Sequence, residues 1–147
     1  MELILWRHAD AENRIPDEAR ELTPKGAKQA ERVAKWLRKR LPEGVVVLVS
    51  PALRAQQTAQ ALTRKFETSR RVGTDATPQE ILKAVHWPHG QHPVLVVGHQ
   101  PTLGQTAALI MAGAAAEWGI KKGALWWFES RGRDEVVVRA VIGPDLV

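Results

Sequence analysis

Two histidines and two arginines stand directly behind apolar runs. Leu3-Ile4-Leu5-Trp6 leads into Arg7-His8, Val45-Val46-Val47-Leu48-Val49 into Ser50-Pro51-Ala52-Leu53-Arg54, and Val94-Leu95-Val96-Val97 into Gly98-His99-Gln100-Pro101. An arginine suits an oxyanion with paired acceptors. A histidine can serve as base, acid, nucleophile or metal ligand. Brought together, the four build a site for a phosphate or a similar dianion. A neutral imidazole nitrogen is nucleophilic without a metal. A transferring phosphoryl group carries its charge on peripheral oxygens, so its catalysis is mainly positioning and electrostatic stabilisation. Two arginines and a second histidine supply both.

The apolar runs themselves say where these side chains go. A short continuous apolar run reads as a strand buried on both faces. In an open α/β sheet, ligands bind just beyond the carboxyl ends of such strands. Parallel neighbours would place the three ends along one rim, with helix N-termini nearby that favour anions. Thr23-Pro24 is a helix start, and the helix carries Ala30, Val33, Ala34, Leu37 and Leu41 on one face before Pro42 and Gly44 end it. Ser50 reads as the cap of a second helix, with Ala55, Ala59, Leu62 and Phe66 as its inner face. Arg71-Val72-Gly73 reads as a short strand. Thr77-Pro78 opens a short helix with Glu80, Ile81, Leu82 and Val85, and Pro101 opens another through Leu103, Ala107, Ile110 and Met111 to Gly113. Residues 9–22, 87–93 and 114–123 read as loops. Residues 125–128 and 136–142 flank a turn-rich stretch, 130–134, and predict an antiparallel pair at a sheet edge. Trp126 and Trp127 should point to opposite faces of that sheet. The alternation predicts one α/β domain over residues 1–147. Its form is a three-layer sandwich with a mainly parallel central sheet, helices on both faces and an antiparallel edge.

Other polar residues carry less. Ser50 is better read as a helix cap than as a catalytic hydroxyl. Asp10 and Glu12 either orient Arg7 or face solvent. His86, His89 and His92 invite a metal reading, but Pro88, Gly90 and Pro93 break any helix that would align them and no carboxylate sits among them. A loop of solvated histidines is therefore expected, and no metal or cofactor.

Of 147 residues, 44% are hydrophobic and 25% charged, as in an ordinary soluble globular chain. The absence of cysteine excludes disulfides and thiolate catalysis. A net charge of +5 permits anionic partners. The one dense basic run, Arg38-Lys39-Arg40, fits a solvated helix end, where cations complement the helix dipole. The six tryptophans do not interleave with it as a base-stacking platform would, so no nucleic-acid partner is expected. No secretory signal and no apolar run of about 20 residues is visible. The expectation is a cytoplasmic protein without a membrane partner.

With these residues in place, the sequence resembles the histidine phosphatase superfamily, the phosphoglycerate-mutase-like group, and within it the small SixA-type phosphohistidine phosphatases. The carrying residues are Arg7-His8-Ala9, Ser50-Pro51-x-x-Arg54 with Thr58-Ala59, Gly98-His99-x-Pro101, and Leu22-Thr23-x-x-Gly26 with Gln29-Ala30. The resemblance covers about residues 1 to 113. It implies that His8 is the nucleophile and becomes phosphorylated, and that Arg7, Arg54 and His99 hold the phosphoryl oxygens. Ala9 stands where the wider superfamily usually has glycine; alanine also occurs there in small SixA-like members. Many members place a general acid between the second and third of these strands. Glu80 is the nearest candidate here and Asp75 the second, and neither lies in a clear family motif. An alkoxide leaving group needs such an acid, whereas a phosphohistidine P–N bond is labile once its imidazole is protonated. The expected activity is therefore removal of phosphate from phosphohistidine on a protein, with a basic rim suited to an acidic partner surface. A phosphatase or mutase for small phosphoesters is the alternative, and a non-catalytic phosphate-binding module the remote one. The chain shows no large insertion to close over a small metabolite, although residues 9–22 are long enough to fold partly over the site.

Overall fold

The computed structural model describes every residue except Arg133. Its elements in chain order are β1 (Glu2–Arg7), α1 (Pro24–Arg38), β2 (Val46–Val49), α2 (Leu53–Gln60), β3 (Glu67–Thr68), α3 (Pro78–Ala84), β4 (Val94–Gly98), α4 (Thr102–Ala112), β5 (Leu125–Arg131) and β6 (Glu135–Ile142). The strands form one sheet in the order β3-β2-β4-β1-β5-β6. The first four are parallel to one another. β5 runs antiparallel to β1, and β6 antiparallel to β5, giving the expected antiparallel edge. Of the expected 130–134 turn, Arg133 lies outside the described residues.

The alternation of side chains along β1 separates the layers. Leu3 and Leu5 face Ile81 and Val85 of the α3 segment and Leu103 and Ala107 of α4. Ile4 and Trp6 face Val33, Ala34 and Leu37 of α1 and Ala55 and Ala59 of α2. Helices therefore cover both faces, which makes the three layers. Trp126 and Trp127 divide as expected, Trp126 on the α3–α4 side and Trp127 on the α1–α2 side. The core β1 side chains are fully buried, and truncating one such leucine to alanine costs about 2–5 kcal/mol.

α1 starts as predicted. The Thr23 hydroxyl accepts the Gly26 N–H at 2.9 Å, with Pro24 at the first helical position. Gly26 matters for another reason: a Cβ there would lie 1.9 Å from the Asp10 carbonyl oxygen. The first turn of α1 thus presses on the chain just after His8, and only glycine permits that approach.

Four local expectations are corrected. Ser50 does not cap α2; Ala52 occupies that position and offers no side-chain cap. α2 ends at Gln60, so Leu62 and Phe66 reach the same layer from the turn that follows. Residues 70–72 form a 3-10 turn rather than a strand, and the strand is Glu67–Thr68, paired to β2. Met111 is 40% exposed, because the buried stripe of α4 follows Leu103, Thr106 and Ala107 and the helix ends at left-handed Gly113. Residues 9–22 also hold more structure than a loop. They contain a 3-10 turn at Asp17–Ala19 and a bridge between Ala11 and Leu22.

Candidate active site

β4 lies between β2 and β1, so the three apolar runs end side by side. Arg7 pairs with Gly98 in register, and Val49 with Val97. The His8 N–H donates to the Gly98 carbonyl at 3.0 Å, and the His8 and His99 ring centroids are 5.2 Å apart. The structure brings together Arg7, His8, Arg54 and His99, all four of the residues singled out in the sequence.

His8 is 6% exposed. Its Nδ1 lies 2.8 Å from the Ala9 carbonyl oxygen, which can only accept, so Nδ1 carries the hydrogen. Nε2 keeps its lone pair and accepts from Arg54 Nε at 3.3 Å. The ring is held far below the ordinary histidine range, at about 3. Burial is the largest cause, and His99, Arg54 and Arg7 push the same way against the Ala9 carbonyl. At neutral pH the imidazole is uncharged, in one tautomer, with its lone-pair nitrogen beside a guanidinium. The Ala9 N–H donates to the Thr58 hydroxyl at 3.1 Å, and that hydroxyl donates to the Arg54 carbonyl at 2.7 Å. Thr58 therefore ties the turn after β1 to the first turn of α2.

Arg54 is 4% exposed. Besides His8 it reaches Asp17, with Nη1 donating to the backbone carbonyl at 2.9 Å and Nη2 to the carboxylate at 3.0 Å. Nη2 also lies 3.5 Å from His99 Nδ1. Because a guanidinium only donates, Nδ1 faces it with a lone pair and Nε2 carries the hydrogen. That Nε2 donates to the Ser50 hydroxyl at 2.7 Å, and the same hydroxyl accepts the Ala52 N–H at 3.2 Å. Ser50 thus orients His99 instead of capping a helix. His99 is lowered to about 4, by burial first, then by the Arg54 charge; Asp17 opposes and Arg7 and Arg20 add. Arg7 donates through Nη1 to the Ile120 carbonyl at 2.8 Å, while its buried Nε has no hydrogen-bond partner among the described residues. Burial lowers its pKa. A buried donor without a partner costs about 1–3 kcal/mol, and an oxyanion lying against Arg7 would satisfy it.

Asp17 was missed in the sequence, where it looked like one more acid in a polar loop. Burial alone would raise its pKa, but hydrogen bonds from Arg54 and Arg20 outweigh this and lower it. A usable signal was present: Pro16 followed by two acids marks a short helical start. Residues 9–22 do fold over the site, through this turn.

The remaining acids do not join the four. Asp10 neither orients Arg7 nor stands free in solvent. It accepts from the Thr23 hydroxyl at 2.7 Å and from Lys122 Nζ at 2.9 Å, while its N–H donates to Gln29 Oε1. The Glu12 side chain is exposed. Glu80 is exposed and its carboxylate accepts from the Thr77 hydroxyl at 3.1 Å, in a capping arrangement at the start of α3. It makes no hydrogen bond to Arg7, His8, Arg54 or His99. Asp75 is exposed in the turn before α3. Among the described residues, His86, His89 and His92 do not group with one another or with acids as metal ligands would.

Residues 3–82 match the profile of the histidine phosphatase superfamily (branch 1). The chain belongs to this superfamily. The matched stretch holds Arg7, His8 and Arg54 and stops short of His99. The chain is 33% identical over 128 residues to a phosphohistidine phosphatase SixA homolog of Haemophilus influenzae, an alignment covering 74% of this chain and 76% of that protein. It is 32% identical over 123 residues to the phosphohistidine phosphatase SixA of Escherichia coli, with 77% and 76% covered. Its fold matches a solved structure of the protein histidine phosphatase SixA complexed with tungstate, with a TM-score of 0.80 at 22% identity, over 99% of this chain and 98% of that one. This likeness shows the shared fold of the superfamily, the phosphoglycerate-mutase-like sandwich predicted from the sequence.

Proposed function

We propose that this member of the histidine phosphatase superfamily is a hydrolase that removes phosphate from phosphohistidine on a protein. His8 Nε2 attacks phosphorus, forming an N–P bond as the bond to the substrate imidazole breaks. The substrate imidazole, already protonated by solvent at its other ring nitrogen, departs as neutral imidazole with the electron pair of the broken bond. A water molecule then attacks phosphorus, its proton is lost to solvent, the N–P electron pair returns to Nε2, and inorganic phosphate leaves. Arg7 and Arg54 hold the peripheral oxygens, and His99 donates to one of them once bound phosphate favours its protonated form. Those donors sit where charge develops, in a site largely closed to water.

One observation carries the choice of substrate. Among the described residues, Asp17 is the one carboxylate hydrogen-bonded to any of the four, and it is ionised and paired to Arg54. An ionised acid cannot protonate an alkoxide. A site so equipped favours a leaving group that needs little acid help, as phosphohistidine does. The similarity to proteins named phosphohistidine phosphatases supports the same reading.

Turnover of a phosphohistidine-bearing protein should be compared with that of a panel of sugar, glycerate and amino-acid phosphoesters. The phosphoprotein should give the highest kcat/KM. Equal or better hydrolysis of any small ester would favour a phosphomonoesterase instead, and Glu80→Gln would then separate the two: it should depress ester turnover only if Glu80 is the acid.

A further inference from the structure

A second concavity, of about 630 Å³, lies between the first turns of α1 and the segments around residues 121–122 and 144–145. Lys25, Lys28, Arg32, Lys121 and Lys122 line it, against a single acid, Asp145. Lys25, Lys28 and Arg32 follow spacings of three and four, so they form one stripe along α1. That stripe is not the buried one of Ala30, Val33, Ala34 and Leu37. Some of these cations are engaged. Lys122 bonds Asp10, Arg32 reaches the Pro144 carbonyl at 3.5 Å, and Lys121 lies 3.9 Å from Asp145 with both side chains mostly exposed. Lys25 and Lys28 have no ion-pair partner among the described residues. A concave surface lined by one sign of charge concentrates its field on a ligand of the other sign.

The wall of the cleft is bonded to the turn that follows His8. Lys122 holds Asp10, the next residue, Gly123, donates its N–H to the His8 carbonyl at 3.1 Å, and Gln29 of the cleft wall accepts the Asp10 N–H. Asp10 is two residues from His8, at most about 7 Å of chain. A peptide with its phosphohistidine at His8 has flanking residues within reach of these lysines. Among the described residues no aromatic side chain lines the cleft, so it lacks the stacking platform a single-stranded nucleic acid uses.

We propose that this cleft binds carboxylate side chains flanking the phosphohistidine of a protein substrate. The proposal rests on the phosphatase reading above and adds to it a surface that selects the partner.

Two phosphohistidine peptides of equal length test it, one flanked by glutamates and one by alanines. The protein should prefer the acidic peptide by about tenfold in kcat/KM, carried by KM, because a few exposed pairs together supply that much. The preference should vanish near 0.5 M salt, to order of magnitude. A Lys25→Glu, Lys28→Glu, Lys121→Glu triple variant should lose it while turning over the alanine-flanked peptide as before. No preference in the wild type, or the same preference in the triple variant, overturns the proposal. An octaglutamate peptide without phosphate gives a readout independent of activity. Its titration should shift the backbone amides of residues 25–32 and 121–123 in the wild type only. Shifts centred on Arg38-Lys39-Arg40, no shifts at all, or equally strong binding of a single-stranded oligonucleotide at the same amides would also overturn it. If neither phosphohistidine peptide is hydrolysed, the phosphatase reading falls and the octaglutamate titration alone decides the cleft.

Discussion

Asp17 and Arg54 are joined twice, once through the Asp17 carbonyl and once through its carboxylate. The guanidinium that should clamp a phosphoryl group is thus already occupied, by an acid that is 57% exposed. An incoming dianion competes with that carboxylate for Nη2. Asp17→Asn removes the competing charge and keeps the carbonyl contact. Inorganic phosphate should then bind about threefold tighter, the size of one ion pair with its carboxylate in solvent, as read by calorimetry at low salt. Weaker binding in Asp17→Asn would mean that the carboxylate positions Arg54 and does not compete with the ligand.

His8→Ala should reduce turnover of phosphohistidine by about 10³-fold or more, as loss of a nucleophile does. Wild-type protein mixed briefly with phosphodonor and quenched without acid should carry phosphate on His8, stable in base and lost in acid. Wild-type rates in His8→Ala would end the covalent mechanism.

Ser50→Ala would leave two buried donors, His99 Nε2–H and the Ala52 N–H, without their shared acceptor. Stability should fall by about 1–3 kcal/mol. kcat should fall by about tenfold as the His99 ring loses its fixed tautomer, since small misplacements in a site are costly. Ser50→Thr keeps the hydroxyl and should restore part of the activity. Denaturant titration and steady-state kinetics read the two effects separately.

Both site histidines stay neutral far below the ordinary value of 6.5, His8 to about 3 and His99 to about 4. The unfolded chain takes up a proton on each near 6.5, and the folded chain does not until much lower pH. Stability therefore rises with pH between about 3 and 6.5 and is lost as pH falls through that window. Ordered Asp17, with its lowered pKa, adds to the loss below the ordinary carboxylate range. Thermal scans should show Tm falling from pH 6.5 to pH 4. Ring proton shifts of His8 should be flat from pH 8 to pH 5 in the free protein. Bound tungstate should raise the His99 transition by countering the arginine charges; a normal transition near 6.5 for His8 without ligand contradicts the buried neutral ring.

Chelation should leave activity unchanged, because Arg7, Arg54 and His99 supply the positive charge that a cation would otherwise bring. Activity lost to a chelator and restored by one divalent ion would return attention to His86, His89 and His92.

The layered fold was readable because each strand that positions the site is a dense apolar run, and each helix start carries its own signal, such as Thr23-Pro24. Arg7, His8, Arg54 and His99 were readable for a related reason: Arg7 ends β1, His8 and His99 directly follow β1 and β4, and Arg54 lies in the first turn of the helix after β2, so strand order places all four. What was not readable depended on contacts far apart in sequence. Ser50 looked like a cap because its partner, His99, is 49 residues away. Asp17 is 37 residues from Arg54, on a turn whose path local spacing does not specify. The 70–72 segment has a strand-like valine, yet one turn of 3-10 helix buries Val72 against the α3–α4 layer. Asp10 was misread in both of its alternatives, because the lysine that holds it comes 112 residues later.

His8 is stitched to the molecule by its backbone as well as its ring: it donates to Gly98, accepts from Gly123, and its neighbour Ala9 donates to Thr58. These anchors come from the second, fourth and fifth strands' surroundings, so the centre has no meaning in any local stretch of chain. During synthesis His8 is made before all three of these partners. Until β4 and the 120–124 segment dock, it is an ordinary solvated histidine, with an ordinary affinity for protons and no grip on phosphate. A phosphate mimic that binds only the assembled centre would accordingly stabilise the whole sheet by mass action, and its binding would count the finished molecules in a mixture of finished and unfinished ones.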